Sequence, residues 1–352
     1  MAEARSETKE SKFGEKAAAK AAALPWKTRV SLFVMSMVTD AARRRDGSVN
    51  RRLMNFLDFK SPPNPTKPIR SVRTFDLTVD PHRKLWFRVF VPSDAHNSSP
   101  LPVMVFFHGG GFVFLSANNM AYDPVCRRFA RRVPAIVVSV NYRLAPEHRY
   151  PAQYEDGFDV LKFLDQQQNE LPETADLSQC FLIGDSAGAN LAHHVAKRAA
   201  ESNFRQLKVV GLVAIQPFFG GEERTEPEKR LTQLVTMERT DWMWKAFMGP
   251  NYEGRDHESI NVSGPRAADI AAVEGFPATV VVVGGLDGLQ EWQRRYYRWL
   301  KASGKEAHLL EYPNSVHAFY IFPELPESAH LTSQVADFIH AHSSASASSM
   351  AA

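Results

Sequence analysis

CFLIGDSAGANLAHHVA, residues 180–196, is the stretch of sequence that decides the fold. Its first four residues form a short apolar run, which is typical of a strand buried on both faces, and a helical pattern begins at Ala187. Between the two lies G-x-S-x-G at 184–188. In this strand-to-helix setting the pattern predicts a tight, strained turn that exposes the hydroxyl of Ser186 beside a helix N-terminus, where developing negative charge is favoured. Ser186 is therefore the candidate nucleophile.

The other residues of this turn have steric and structural roles. Gly184 and Gly188 must be small, because a β-carbon two positions from the serine would crowd the turn. Asp185 must point away from the serine hydroxyl, and we assign it a structural hydrogen bond. A glycine-rich turn that merely caps a helix with serine has the same pattern, so the five residues alone leave both interpretations open.

A second signal, HGGG at 108–111, directly follows a predicted strand. Upstream of a nucleophile, glycines let backbone N–H groups approach a substrate oxygen without a β-carbon in the way. We expect Gly110 and Gly111 to form the oxyanion hole with the N–H of Ala187, and Gly109 is a further candidate. A plain glycine turn would be the simpler interpretation of this motif alone, but its position upstream of the serine turn favours the oxyanion hole.

An acid and a histidine must follow the serine in that order to complete a catalytic triad. Asp287 comes after a predicted strand at 279–283, and His317 comes after another at 307–312, 30 positions further on. The other downstream histidines lie on helices, within a strand or in polar stretches: His193, His194, His257, His308, His330, His340 and His342. We therefore expect Ser186, Asp287 and His317 to meet beyond the carboxyl ends of the strands.

Apolar runs and helical patterns alternate along the chain, which predicts a mostly parallel α/β sheet. An antiparallel pair is expected at 72–79 and 85–91. The strands expected to be buried on both faces lie at 102–107, 135–140, 180–183, 209–215 and 279–283, with helices at 153–168, 187–201 and 290–303. Apolar residues at helical spacing predict a further helix between Leu24 and Arg45: Val30, Phe33, Val34, Met37 and Val38.

Composition excludes several classes of function. The chain has 352 residues, of which 44% are hydrophobic and 23% charged, with a net charge of +3, which is ordinary for a soluble globular protein. The basic residues form short clusters at 43–45, 51–52, 127–128 and 131–132. We interpret these clusters as solvated helix faces, so no nucleic-acid partner is expected. Cys126 and Cys180 form neither a disulfide framework nor a metal-binding spacing, which indicates a reducing compartment and no metal.

The two ends of the chain are polar or low in complexity. Neither signal-peptide character nor an apolar run of about 20 residues is present, so we expect no membrane association and a location in the cytoplasm, with the nucleus as the alternative. Residues 1–23 and 343–352 are predicted to be disordered tails, and residues 61–342 to form the catalytic domain.

Four stretches together resemble the plant carboxylesterases of the GDXG, or hormone-sensitive-lipase-like, family: HGGGF at 108–112, VNYRLAPEHRYPAQYEDG at 140–157, GDSAGANLAHHVA at 184–196 and YPNSVHAFY at 312–320. The resemblance implies an α/β-hydrolase fold, with a mostly parallel eight-stranded sheet, helices on both faces, and residues 24–60 folded over the active site as a helical lid. It also implies a carboxylesterase that hydrolyses short-chain esters without a cofactor.

Gibberellin receptors share this scaffold, and the resemblance implies that an aliphatic residue replaces the triad histidine in them. Here His317 is retained, which favours an esterase with a small-molecule ester substrate over a non-catalytic hormone-binding protein whose lid recruits a partner. An amidase or peptidase with the same triad is a third hypothesis, because the acyl chemistry is shared. The sequence specifies no protein partner.

One departure from the family lies just after the acid. The family usually reads Asp-Pro-Leu followed by a second Asp, whereas this chain reads DGLQE at 287–291. The acid is retained, and Gly288 in place of proline predicts a looser loop.

The substrate pocket is predicted from aromatic residues beside strand ends. Phe112, Phe218, Phe219 and Tyr320 are the candidates, and for each of them an ordinary core aromatic is the alternative interpretation.

Overall fold

Eight strands form one sheet in the computed structural model, which describes residues 24–93, 100–230, 234–250 and 252–349. In chain order they are β1 (Val72–Asp80), β2 (Leu85–Pro92), β3 (Leu101–Phe107), β4 (Ile136–Asn141), β5 (Ala175–Asp185), β6 (Val209–Ile215), β7 (Ala278–Gly284) and β8 (Ala307–Tyr312). Their order across the sheet is β1-β2-β4-β3-β5-β6-β7-β8. β2 pairs antiparallel with β1 and β4, and all other neighbours are parallel. The predicted sheet is confirmed.

Helices cover both faces of this sheet, as predicted. In chain order they are α1 (Trp26–Ala42), α2 (Arg51–Leu57), α3 (Tyr122–Arg132), α4 (Ala152–Gln166), α5 (Ala187–Ala200), α6 (Glu226–Arg230), α7 (Met237–Met248), α8 (Gln290–Ala302) and α9 (Pro326–Ser349). Helices α4, α5 and α8 belong to the apolar cluster on one face, and α3 and α9 to the cluster on the other.

Strand β3 shows why its sequence is a continuous apolar run. Successive side chains of a strand point to opposite faces of the sheet. Val103, Val105 and Phe107 pack into one apolar cluster, while Met104 and Phe106 pack into the other, and all five are fully buried. Since both faces are covered by helices, neither set can be polar.

The N-terminal helix α1 forms where the sequence predicted a helix, but it turns part of its apolar surface outward. Val34 and Val38 line a cavity at the edge of the sheet. Val30, Phe33 and Met37 remain 52%, 65% and 56% exposed. The regular apolar spacing therefore predicted the helix correctly, while it did not indicate which side of the helix meets the protein.

The sequence predicts a disordered tail at residues 343–352, and this stays a prediction. Helix α9 continues through residue 349, and residues 350–352 lie outside the described chain, as do residues 1–23. The stretch contains serine and alanine without glycine or proline. Alanine has the highest helix propensity, and extending an existing helix adds one hydrogen bond per residue.

One basic cluster is not a solvated face. Arg127 is 3% exposed; its Nε donates to Asp123 at 2.7 Å and its Nη1 to the carbonyl oxygen of Val72 at 2.7 Å. The carboxylate four residues earlier on α3 allows this guanidinium to be buried.

Among the described helices, none is long and apolar enough to cross a membrane.

Candidate active site

The turn around Ser186 is strained, as its motif predicted. Ser186 lies between β5 and α5 with φ at +53°, a conformation that few residues other than glycine adopt. A β-carbon on Gly184 would lie 2.2 Å from the carbonyl oxygen of Gly188, and one on Gly188 would lie 2.0 Å from that of Phe107. Backbone atoms cannot move aside as a flexible side chain can, so both positions require glycine.

The acid and the base meet at the same edge of the sheet. His317, beyond the end of β8, is joined by its Nδ1 to Oδ2 of Asp287, beyond the end of β7, at 2.7 Å. Ser186 and His317 both line one cavity. Within the described residues the Ser186 hydroxyl forms no hydrogen bond, to His317 or to any other group. In hydrolases the hydrogen bond between serine and histidine is often long without substrate and shortens in the complex.

The carboxylate of Asp287 is fully buried and accepts four hydrogen bonds. Besides His317, Oδ2 accepts from Nε2 of Gln216 at 3.0 Å and from Nε2 of Gln293 at 2.8 Å. Oδ1 accepts from the N–H of Leu289 at 3.0 Å. This last bond, made within the stretch DGLQE, holds the acid in place although Gly288 replaces the usual proline.

The environment of His317 favours its charged form. Burial lowers the pKa of the imidazole, but the charge and hydrogen bond of Asp287, with a smaller contribution from Asp185, outweigh burial and raise it above 6.5. A more basic imidazole is a better acceptor for a hydroxyl proton.

Three backbone N–H groups are available for an oxyanion hole. Gly110 and Gly111 have φ values of +103° and +62°, and both line the cavity with Ser186. Ala187 is the first residue of α5, where helix N–H groups lack partners within the helix. In the described part of the chain, no hydrogen bond uses the N–H of any of these three residues.

Gly109, the further candidate for the oxyanion hole, differs from these three residues because its N–H already has a partner. Its N–H donates to the hydroxyl of Tyr122 at 2.8 Å, and that hydroxyl donates to Oδ2 of Asp185 at 3.0 Å. The N–H of Gly109 is therefore already used within the protein. Asp185, in contrast, has the structural hydrogen-bonding role that its position in the turn predicted.

Burial has a strong effect on Asp185. Among the described residues no cation forms an ion pair with the side chain, and desolvation raises its pKa from 3.8 to about 6, although the hydrogen bond from Tyr122 lowers it. Neighbouring His108, also fully buried, has its pKa lowered to about 4 by desolvation, so the imidazole is neutral. Its ring stacks on Tyr142 at a centroid distance of 4.3 Å, a structural role.

The cavity above the triad has a volume of about 350 Å³ and mostly apolar walls. Helix α1 contributes Val34, Met35 and Val38, so the N-terminal segment covers the site as the predicted lid would. Six further apolar side chains line the cavity, and the sequence analysis did not identify them: Met54, Leu57, Phe59, Leu115, Met120 and Met243.

The structure places one of the four aromatic pocket candidates, Phe218, on the cavity wall. Phe112 instead stacks on Phe247 with ring centroids 4.0 Å apart, Phe219 packs on Tyr296 at 4.8 Å, and Tyr320 is buried. That Phe218 contacts substrate stays a prediction. Because neighbouring residues point in different directions, proximity to a strand end does not place a side chain in the cavity.

Two charged groups on the cavity wall, Arg239 and Asp58, are neutralised within the protein. Arg239 of α7 forms a two-pronged ion pair with Asp40 of α1, with N–O distances of 2.9 and 2.6 Å. Asp58 is paired with Lys60 and also accepts from Asn119. The same contacts tie the N-terminal segment to the rest of the protein.

One group of side chains could hold a metal ion, and it lies away from the triad. Glu306, His308 and His342 bring three ligand atoms within 4.8 Å of one another, the only such group among the described residues. His308 is near the start of β8, whereas His317 follows its end, so this group lies toward the opposite edge of the sheet.

The chain is similar to known hydrolases and hormone receptors. Residues 104–321 match the family described as alpha/beta hydrolase fold. The chain is 40% identical to the gibberellin receptor GID1C of Arabidopsis thaliana, over 90% of this chain and 95% of the receptor. It is 37% identical to carboxylesterase 20 of the same plant, over 74% and 83% of the two chains. An esterase structure from Pyrobaculum calidifontis has a TM-score of 0.66 and 30% identity, over 78% and 86%.

Proposed function

The chain belongs to the alpha/beta hydrolase family, and from that premise we propose that it is a carboxylesterase that uses Ser186, His317 and Asp287 as its triad. The observation that carries the proposal is the 2.7 Å contact between His317 Nδ1 and Asp287 Oδ2, at a cavity that the strained Ser186 also lines. A buried carboxylate on Nδ1 leaves Nε2 to accept a proton.

The reaction follows from these groups. Nε2 of His317 takes the hydroxyl proton of Ser186 while the serine oxygen attacks the ester carbonyl. The N–H groups of Gly110, Gly111 and Ala187 stabilise the oxyanion. His317 then gives its proton to the departing alkoxide, which leaves as the alcohol. Water, deprotonated by the same imidazole, attacks the acyl-enzyme and releases the carboxylic acid and the free serine.

We further propose that the substrate is a small, uncharged ester with an apolar acyl or alcohol group. The cavity of about 350 Å³ suits a small molecule, and its walls are mostly apolar. The wall charges of Arg239 and Asp58 are already paired, with Asp40 and Lys60. An anionic substrate would lose its hydration without gaining an ion partner that is not already paired.

Turnover of 4-nitrophenyl butyrate tests this proposal. We expect hydrolysis by the unmodified chain, a loss of about four to six orders of magnitude in Ser186→Ala, and covalent labelling of Ser186 by a fluorophosphonate probe. Ser178→Ala, at the other end of β5, is the matched control and should keep full activity. An unmodified, folded chain that neither labels nor turns over any neutral ester would contradict the proposal.

A second candidate function is that of a small-molecule receptor, favoured by the 40% identity to a gibberellin receptor across 90% of the chain. The covered cavity suits a receptor too. Saturable binding of a gibberellin without ester turnover and without labelling of Ser186 would support the receptor. Selective cleavage of an anilide over the matching ester would instead support the amidase hypothesis.

A further inference from the structure

Gln216 is a buried polar residue just after β6, and it does not itself line the cavity. It is 1% exposed and has φ at +45°, although it is neither glycine nor asparagine. Its backbone N–H donates to the carbonyl oxygen of Val282 at 3.0 Å. A residue remains in this unfavourable conformation only where the surrounding contacts determine it.

The side-chain amide of Gln216 has three partners, and together they define its orientation. Nε2 donates to Oδ2 of Asp287 at 3.0 Å and to the carbonyl oxygen of Val316 at 3.1 Å, while Oε1 accepts from the N–H of Ala318 at 2.8 Å. The first two partners only accept and the third only donates, so the reversed amide would lose all three hydrogen bonds.

These contacts enclose His317. Val316 and Ala318 are its two chain neighbours, and Ala318 itself has φ at +59°. Oδ2 of Asp287, the third partner, is also the atom that contacts Nδ1 of His317. One amide therefore holds the backbone on both sides of the imidazole and the oxygen to which the imidazole is bound.

We propose that Gln216 is a positioning residue of the triad, which fixes the His317 loop relative to Asp287 without touching substrate. The inference rests on the proposed esterase function. Gln293 also donates to Oδ2 of Asp287, at 2.8 Å, but in the described part of the chain no hydrogen bond joins its side chain to the His317 loop. The carboxylate therefore stays held when Gln216 is lost, and the placement of the imidazole is what changes.

Gln216→Met tests this role, because methionine has similar length and no amide. Gln290→Met is the matched control: Gln290 is also buried, and its Nε2 donates only to the carbonyl oxygens of Gly285 and Asp287 at 2.9 and 3.1 Å. With 4-nitrophenyl butyrate we expect kcat to fall about 100-fold in Gln216→Met, with KM changed less than twofold because Gln216 does not line the cavity. Gln290→Met should lose less than threefold.

Gln216→Glu provides a second variant if the methionine variant does not fold. Glutamate keeps the acceptor for the N–H of Ala318 but loses the donor to Asp287. When ionised, it adds a negative charge that stabilises protonated His317. We expect a lower kcat and a rising limb of the pH–rate profile displaced to higher pH, which a purely structural defect would not produce.

A readout that does not depend on turnover separates this inference from the proposed function. The proton shared by His317 and Asp287 should give a downfield proton NMR signal, present in the unmodified chain and in Gln290→Met, and weakened or lost in Gln216→Met. If the unmodified chain shows no esterase activity, the proposed function fails while this signal still tests Gln216. Folded Gln216 variants with an unchanged signal, or with kcat within threefold of the unmodified chain, would overturn the positioning role.

Discussion

The hydroxyl of Tyr122 donates to Oδ2 of Asp185 at 3.0 Å and accepts the N–H of Gly109 at 2.8 Å. One buried oxygen thus links Asp185, the residue before Ser186, to Gly109, which follows the neighbouring strand β3. The relationship explains why Gly109 is not a free donor.

Removal of this hydroxyl should weaken both segments. Tyr122→Phe leaves the N–H of Gly109 and Oδ2 of Asp185 buried without their partner, so we expect the free energy of unfolding to fall by about 1–3 kcal/mol in urea denaturation. The expected kcat for ester hydrolysis also falls, because the adjacent Gly110 loses its support. Tyr312→Phe, which removes a partly buried hydroxyl bound to Gln334, should leave kcat unchanged; equal losses in both variants would contradict the link.

The raised pKa of Asp185 makes stability depend on pH. Its pKa is about 6 in the folded chain and 3.8 as the reference, so its contribution to the free energy of unfolding is full below pH 3.8 and is lost as pH rises through about 6. Asp185→Asn removes this loss while keeping an acceptor for Tyr122. We expect the variant to be more stable than the unmodified chain at pH 8, by up to about 3 kcal/mol, with a smaller advantage at pH 5.

Asp165 provides a control with the opposite sign. Burial raises its pKa, but backbone N–H groups of residues 205–207 donate to the carboxylate and lower it below 3.8 overall. Asp165→Asn should therefore be less stable than the unmodified chain at pH 8. If both asparagine variants change the free energy of unfolding in the same direction at pH 8, the raised pKa of Asp185 does not explain its effect on stability.

The increase of kcat/KM with pH on the acidic side of the profile should follow the deprotonation of His317. The base must be neutral to accept the serine proton, and its pKa is raised above 6.5, so kcat/KM for a neutral ester should increase with pH through that raised value. Asp287→Asn removes the charge that raises the pKa and favours the wrong tautomer. We expect a loss of about 10⁴-fold in kcat and a limb displaced to lower pH, measured from pH 5 to 9. An unmoved limb would mean that another group titrates.

The two glycines of the serine turn should not tolerate a β-carbon. In Gly188→Ala the new carbon would lie 2.0 Å from the carbonyl oxygen of Phe107, so β3, β5 or the turn must shift. We expect loss of fluorophosphonate labelling and of ester turnover. Gly275→Ala is the control, since its β-carbon meets nothing within 4 Å and only its φ of +70° costs stability, about 1 kcal/mol. A labelled, active Gly188→Ala variant would refute the close contact.

The ion pair between Asp40 and Arg239 should limit the positive charge on the cavity wall. Asp40→Asn removes one negative charge beside Arg239, which makes this part of the wall more positive and favours an anion. We expect kcat/KM for a carboxylate-bearing ester, 4-nitrophenyl hemisuccinate, to rise at least tenfold relative to 4-nitrophenyl butyrate. Glu147→Gln removes a partner of Arg51 outside this cavity and should leave the ratio unchanged. If the ratio of kcat/KM for the two esters is unchanged in Asp40→Asn, the charge at Arg239 does not affect which substrate binds.

The sequence predicted those features that are encoded in short segments. Continuous apolar runs separated by helical patterns indicated the parallel sheet, because a strand buried on both faces carries apolar residues at every position. The serine turn was recognisable because its tight backbone restricts the residues two positions before and after Ser186 to glycine. Asp287 and His317 could be chosen because each follows a strand whose carboxyl end lies at the same edge.

Only the tertiary structure decided which side chains meet beyond those strand ends. Tyr122 and Asp185 are 63 positions apart, and Gln216 is 100 positions from Val316, so no local pattern indicates these hydrogen bonds. The same holds for Phe218, which lines the cavity, whereas Phe219 beside it is buried in the core. A strained turn or a buried strand constrains its own residues, but the direction of a loop side chain is set by distant segments that pack against it.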